Sequence, residues 1–374
     1  MPPVQTRVGN NLVASRRILL LIAAFLSGAL LPALCEAKSG RHAHARAHPQ
    51  ATLPQLSADA VNQAEFAPSL KSDRANAVML KAEILLDRAA ISPGQIDGKD
   101  GENARKAIAA FQQLHGLDAT GKLDQDTWKE ITQNANEAVI TEYETSEQDI
   151  KGPFVKAIPK KLEQMARVGH LSYTSPLELL GEKFHVDPKL LRQLNPGKNF
   201  DQAGTSILVP NVGARERSRN VASIEIDKST RAVRALGANG ELVAFYPASI
   251  GSQEKPAPSG EFKVRSVAHN PTYHYDPKFK FKGVHVNHKL TVAPGPNNPV
   301  GVVWIDLTKE SYGIHGTPDP ERIGKTYSHG CIRLTNWDAL DLAKRVRKGT
   351  RVAFVDEPSA LPAAQGVGEA RGTK

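Results

Sequence analysis

The chain has 374 residues, 40% of them hydrophobic, and its 48 Lys and Arg against 39 Asp and Glu give a net charge of +9. That length predicts two or three domains with ordinary apolar cores, and the basic balance points to an anionic partner such as nucleic acid, an acidic membrane surface or an anionic polymer. The Lys and Arg are scattered, with no basic run interleaved with aromatics, which excludes a nucleic-acid module.

Arg7, Arg16 and Arg17 precede an apolar run over 18–34, and small residues follow around Ala33, Cys35 and Ala37. A charged start, an apolar stretch and a small-x-small site predict a secretory signal over 1–37 and export to the periplasm or cell envelope. The alternative is an uncleaved anchor, because the run is only marginally long enough to cross a bilayer. Membrane contact is expected through that segment alone. Leu34 before Cys35 does not suit a lipoprotein signal. Once the signal is removed, Cys331 is the one remaining cysteine. A single Cys in an exported chain is not a disulfide scaffold, so it is a reactive thiol or a buried small hydrophobe.

Residues 38–70, rich in Ala, His, Pro, Gln and Ser, read as a disordered linker. His42, His44 and His48 in it read as solvated polar residues rather than metal ligands. From about Asp73 the pattern turns helical: Val78, Leu80, Ile84, Leu85 and Leu86 form an apolar side. Gly94, Asp97, Gly98 and Gly101 mark turns, Ala104, Ile108 and Phe111 recur at helical spacing, and a third helix over 125–131 follows Gly116 and Gly121. Three short helices joined by glycine turns predict a small self-contained domain over 71–136. The string Ile96-Asp97-Gly98, Ala107 to Phe111-Gln112, Gly116-Leu117, Gly121 and Thr127-Trp128 resembles the peptidoglycan-binding helical domain found beside many wall hydrolases. The alternative is a helical bundle with a purely structural role.

Over 160–212 the pattern predicts helices at 176–184 and 188–194, a turn at Asn195-Pro196-Gly197 and a strand at Ser206–Pro210. This order resembles a LysM module, a family that binds N-acetylglucosamine chains; no N-terminal strand is assigned to it. From Asn220 the period becomes that of strands, at 221–226, 232–236, 242–250, 262–267, 284–286, 300–306 and 312–315, with turns at Asp227-Lys228 and Asn239-Gly240. A mostly antiparallel β domain over 220–356 and a disordered tail over 357–374 are expected, so the whole chain is multidomain α+β.

The chemistry concentrates in Ser328-His329-Gly330-Cys331-Ile332-Arg333-Leu334, with His315-Gly316 upstream. On extended backbone, residues two apart share a face, which puts His329, Cys331 and Arg333 on one side. Gly330 permits an unusual backbone angle and close approach of a substrate, and its N–H and that of Cys331 are candidate oxyanion donors. A thiol becomes nucleophilic when a neighbouring imidazole takes its proton, and His315 and His329 both qualify. Arg333 could hold a substrate carboxylate in a fork. Thr335 with Asp338 three residues on predicts a helix start, whose positive end would favour a thiolate. The residues alone also allow an inert buried Cys331, a structural His315, or zinc on His315, His329 and Cys331; no fourth ligand is evident, so no metal is expected.

Together these residues resemble the catalytic motif of the L,D-transpeptidase (YkuD-type) family, which has His-Gly, a short loop, then Ser-His-Gly-Cys-x-Arg; the resemblance spans 220–356. Ala257-Pro258-Ser259-Gly260-Glu261-Phe262 is similar to that family's Thr-Pro-x-Gly-x-Phe strand entry, with Ala257 in place of Thr. The resemblance implies a β-sandwich-like fold, with Cys331 as nucleophile at the end of a long groove. It implies His315 as general base, the Gly316 carbonyl as its orienting group, and Ser328, His329, Gly330 and Arg333 around the substrate and oxyanion. The expected reaction is a cofactor-free acyl transfer: Cys331 takes the acyl group of a peptidoglycan tetrapeptide stem, releases D-alanine and passes the group to an amine, forming 3-3 cross-links. The same thioester could instead go to a lysine of an outer-membrane lipoprotein, or to water in a carboxypeptidase or endopeptidase. A wall-binding protein without catalysis is the alternative from another class. Residues 73–212 are expected to supply binding to stem peptides and glycan strands, separable from the chemistry.

Overall fold

The computed structural model describes residues 56–68, 74–213, 221–251, 256–279, 285–328 and 330–361. The expected signal, the three linker histidines, the end of the tail and His329 lie outside the described residues.

The expected linker is ordered where it is described. Helix α1 (Ala58–Asn62) buries Val61 completely. Asn62 accepts the Val139 and Ile140 N–H groups at 2.9 and 2.8 Å and donates to the Ile140 carbonyl at 3.0 Å. Buried apolar contact and a fully used amide outweigh the polar composition. Three helices follow, α2 (Ala77–Arg88), α3 (Glu102–Leu114) and α4 (Gln125–Thr132). Asn76 caps α2 through the Met79 N–H and Asp124 caps α4 through the Thr127 N–H, each satisfying an orphan donor of a first turn. Met79, Leu80, Ile84 and Leu86 fill the centre. Buried Gln112 binds both the Lys122 carbonyl and the Gly121 N–H, fixing the turn between α3 and α4.

The second unit begins earlier than 160. Strand β1 (Ile140–Glu144) pairs antiparallel with β2 (Ser206–Pro210), Ile140 opposite Pro210. Between them lie α5 (Glu147–Lys151), α6 (Leu162–Met165), α7 (Pro176–Lys183) and α8 (Pro188–Leu194). Its first strand carries little apolar signal, with Ile140 its one buried side chain, and lies well before the apolar helices α7 and α8. Asn195 locks the closure, accepting the Leu208 N–H and donating to the Leu191 and Leu208 carbonyls.

The C-terminal domain is built on β3 (Ser223–Asp227), β4 (Ala232–Leu236), β5 (Leu242–Pro247), β6 (Gly260–His269), β9 (Val303–Leu307), β10 (Gly313–His315), β11 (Ile332–Arg333) and β12 (Arg351–Val355), with a hairpin β7 (Tyr273–Tyr275) and β8 (Leu290–Val292) beside them. The order is β11-β10-β9-β6-β12-β3-β4-β5, antiparallel except for β10/β11 and β12/β3. Instead of two separate sheets, one sheet turns at an irregularity in β6 between Val264 and Ser266, pairing β12 on one side and β9 on the other. Its edges then meet through a two-way bridge, Ser249 N–H to Arg333 carbonyl and Arg333 N–H to Ser249 carbonyl, each 3.0 Å. Helix α9 (Asn336–Arg345) packs on β9 and β10. His285 and Val286 are not in a strand, contrary to the pattern; the hairpin β7–β8 takes that place. The tail is anchored at Ser359, whose carbonyl accepts from buried Arg234 at 2.8 Å.

The three-helix domain is not self-contained. Its core continues into the second unit (Leu180, Leu191) and onto Ala232, Leu236, Leu242 and Phe245 of β4 and β5. The segment after α2 extends the sheet edge, with the Ser92 N–H on the Phe245 carbonyl and the Phe245 N–H on the Ala90 carbonyl, both 2.9 Å. It then pairs Ile96 with Val186 of the second unit. Apolar side chains on outward-facing strand positions need such a cover. Among the described residues no helix is long and apolar enough to cross a membrane.

Candidate active site

β10 and β11 run parallel with Ile314 beside Ile332 and His315 beside Arg333. Cys331 immediately precedes β11, two residues before the Arg333 that pairs with His315. Cys331 is a half-buried thiol, and its Sγ–H donates to the Ser311 carbonyl at 3.6 Å.

His315 is buried, and its Nδ1–H donates to the Gly316 carbonyl at 2.7 Å. A carbonyl can only accept, so Nδ1 carries the proton and Nε2 keeps its lone pair. Burial, helped by the Arg333 charge and opposed by the Gly316 bond, pushes the ring down to about 3, so it is neutral at physiological pH. Trp304, opposite His315 in β9, stacks on it with centroids 5.5 Å apart. Gly313 leaves room for that indole, since any Cβ there would strike it.

Gly330 has φ +120°, and its N–H donates to the buried Ser328 Oγ at 3.1 Å. One of the two expected oxyanion donors, the Gly330 N–H, is therefore engaged by Ser328. The Tyr312 hydroxyl lies against Gly330. Burial and the nearby Cys331 raise Tyr312, and burial, with Cys331 and Tyr275 adding, pushes Tyr273 up to about 12. Arg333 is half-buried and lowered by burial, while Cys331 and Asp319 act the other way. It lines a small, mostly polar dimple with Ser249, Thr317, Asp319, Arg322 and Thr326.

Thr335 caps α9 through the Asp338 N–H at 3.2 Å. The buried Asp338 carboxylate sits in that first turn and accepts from Ser92 Oγ at 2.9 Å, so it offsets the positive end that the sequence reading assigned to the thiol. Among the described residues no three His, Cys, Asp or Glu side chains converge as metal ligands.

Residues 222–353 match the family model of the L,D-transpeptidase catalytic domain, YkuD. Residues 79–131 match that of a "Putative peptidoglycan binding domain". The "Putative L,D-transpeptidase YkuD" of Bacillus licheniformis is 36% identical over 180 residues, 48% of this chain and 92% of that protein. The chain belongs to the L,D-transpeptidase family. Another relative, "Probable L,D-transpeptidase YbiS" of Escherichia coli K12, is 28% identical over 190 residues, 50% of this chain and 61% of that protein. A solved L,D-transpeptidase from Mycobacterium smegmatis aligns with a TM-score of 0.30 at 19% identity, over 42% of this chain and 76% of that one.

Membership of the L,D-transpeptidase family makes this a peptidoglycan-modifying enzyme, with a peptidoglycan-binding domain joined to its catalytic domain. The structure gathers His315, Gly316, Ser328, Gly330, Cys331 and Arg333 around β10 and β11. Trp304, Tyr273 and Tyr312 were not singled out from the sequence. Trp304 could have been found by pairing the strand over 300–306 with the one ending at His315; Tyr273 gave no signal, because its hairpin was not recognised.

Proposed function

We propose that this L,D-transpeptidase cross-links peptidoglycan stems through a Cys331 thioester. The observation that carries the reading is the His315 ring, neutral and held by Gly316 with Nε2 left to accept a proton, in the strand paired with β11, which Cys331 leads into. In the first step His315 takes the thiol proton and the Cys331 sulfur attacks the carbonyl carbon of the L-centred diamino acid. The amide C–N bond breaks, the proton passes from His315 to the leaving nitrogen, and D-alanine departs. In the second step an amine of a neighbouring stem attacks the thioester, gives its proton to His315 and restores the thiol. Acyl bond energy is kept in the thioester, so no cofactor is required. His329 and Arg333 are assigned to the substrate, Arg333 through a carboxylate in the recess it lines.

The segment 140–212 is assigned as a LysM-like glycan-binding unit because its strands β1 and β2 pair and the helices α7 and α8 come just before β2, and the three-helix domain as a second wall anchor. Two anchors on one chain raise the local substrate concentration. The N-terminal charged and apolar pattern assigns the enzyme to the periplasm. Incubation of the full chain with purified disaccharide tetrapeptides, followed by mass spectrometry, tests the reading. Dimers linked 3-3 with release of D-alanine are expected. Tripeptides alone would make water the acceptor; a lipoprotein acceptor would appear only when a lysine peptide is added. Unchanged substrate would defeat the reading.

A further inference from the structure

Asn336, the first residue of α9, is nearly fully buried and belongs to no motif read from the sequence. Its Oδ1 accepts the Val302 N–H at 3.2 Å and its Nδ2 donates to the Pro296 carbonyl at 3.2 Å. The same Oδ1 lies against two glycines at once. A Cβ on Gly316 or on Gly301 would collide with it, and Gly301, at φ +62°, packs directly on the backbone of Gly316. Gly316 is the residue whose carbonyl holds the His315 Nδ1–H. Asn336 therefore bears on the peptide that sets the tautomer of the proposed base, without touching the ring.

The side chain also reaches out of the catalytic domain. Glu182 of α7 is half-buried as a residue, but its Oε1 reaches neither solvent nor a hydrogen-bond partner. Asn336 and Glu182 line one recess between α7 and α9, and the Asn336 amide opposes the burial that pushes this acid up to about 8. On the same face of α7, Glu178 accepts from Asn297 at 2.7 Å, and His185, just beyond its end, stacks on Trp337 at 5.1 Å. The unit holding α7 thus seats directly on the first turn of α9.

We infer that Asn336 is a positioning residue: it clamps the Gly301–Gly316 contact so that the Gly316 carbonyl keeps His315 in its Nδ1–H form, and it faces Glu182 of the wall-binding unit across the recess they share. This rests on the reading of His315 as base to Cys331.

The test uses the full chain with ¹⁵N-labelled histidine. The His315 ring resonances report its tautomer without turnover, and acylation of Cys331 by a carbapenem reports rate. In Asn336→Ala the expected result is a mixed His315 tautomer and a loss of acylation on the order of 10²-fold, the usual effect of a displaced catalytic group. Asn336→Asp preserves size and the Val302 acceptor but sets a carboxylate against the Pro296 carbonyl and Glu182. It should lose rate as well, and Asn336→Asp with Glu182→Gln should recover part of it by removing the acid that faces the new carboxylate. This pair decides the matter if Asn336→Ala does not fold. A folded Asn336 variant with the wild-type tautomer and acylation within twofold of wild type overturns the inference. If the wild type itself is not acylated, the cysteine reading fails, and the ring tautomer still decides whether Asn336 positions His315.

Discussion

His315 is held neutral by burial and held in one tautomer by Gly316, and its consequences can be measured one residue at a time. Replacing it with Ala should slow acylation of Cys331 by about 10²–10⁴-fold near neutral pH. Raising the pH should restore part of the rate, because solvent can deprotonate a thiol whose ordinary pKa is about 8.5. His329→Ala should lose rate at every pH with little alkaline recovery. Following carbapenem acylation from about pH 6 to 9.5 in both variants checks this; the opposite pattern would exchange their roles. At this scale the sequence was informative where chemistry depends on neighbours in the chain, as in Ser328 to Arg333. It was silent where the partner comes from another strand. Trp304 meets His315 only through the β9/β10 register, and Asn336 meets Gly316 only through packing.

Helices with strong apolar periodicity and caps were legible, α7 and α8 within a residue and α2 with a start about four residues late of the expected one, as were the buried strands β3 and β4. Short elements that rely on partners were not. α1 has one buried side chain, too little for a pattern, and the three residues of β7 and of β8 stabilise each other. The case of α1 gives a prediction. Asn62→Ala removes three hydrogen bonds to the start of β1 and leaves two part-buried N–H groups without their acceptor. The cost should be roughly 1–3 kcal/mol, read as a lower urea midpoint with an unchanged slope. An unchanged midpoint would mean that α1 is only loosely attached.

In the whole molecule, the three units share a core rather than sitting as separable beads. A chain beginning at Asn220, expected from sequence to keep its reaction, would expose Leu236, Leu242 and Phe245 on the outer face of β4 and β5. At about 1.5–3 kcal/mol each, their loss of cover totals roughly 5–9 kcal/mol, comparable with the whole stability of a domain. Truncation is therefore predicted to lower the melting temperature sharply or to cause aggregation, and calorimetry of the shortened chain checks it. The junction should also make stability depend on pH from both sides. Glu182 is raised to about 8 from an ordinary carboxylate value near 4.5, so its contribution is complete below about 4.5 and is lost as pH rises to 8. His315 is depressed to about 3 from 6.5, so its contribution is complete above 6.5 and is lost as pH falls towards 3. A melting-temperature maximum between those limits is expected, and Glu182→Gln should flatten its alkaline side. Domain contacts of this kind cannot be read from one sequence, because the outward apolar residues of β4 and β5 look the same whether water or a helix lies beyond them.

The central claim is that Cys331 carries the acyl group. Intact-protein mass spectrometry of the full chain, quenched within seconds of mixing with a disaccharide tetrapeptide, tests it most directly. A mass increase equal to the stem acyl group is expected on Cys331, removed by hydroxylamine, with no adduct and no D-alanine release in Cys331→Ala. D-alanine release by Cys331→Ala at the wild-type rate would contradict it.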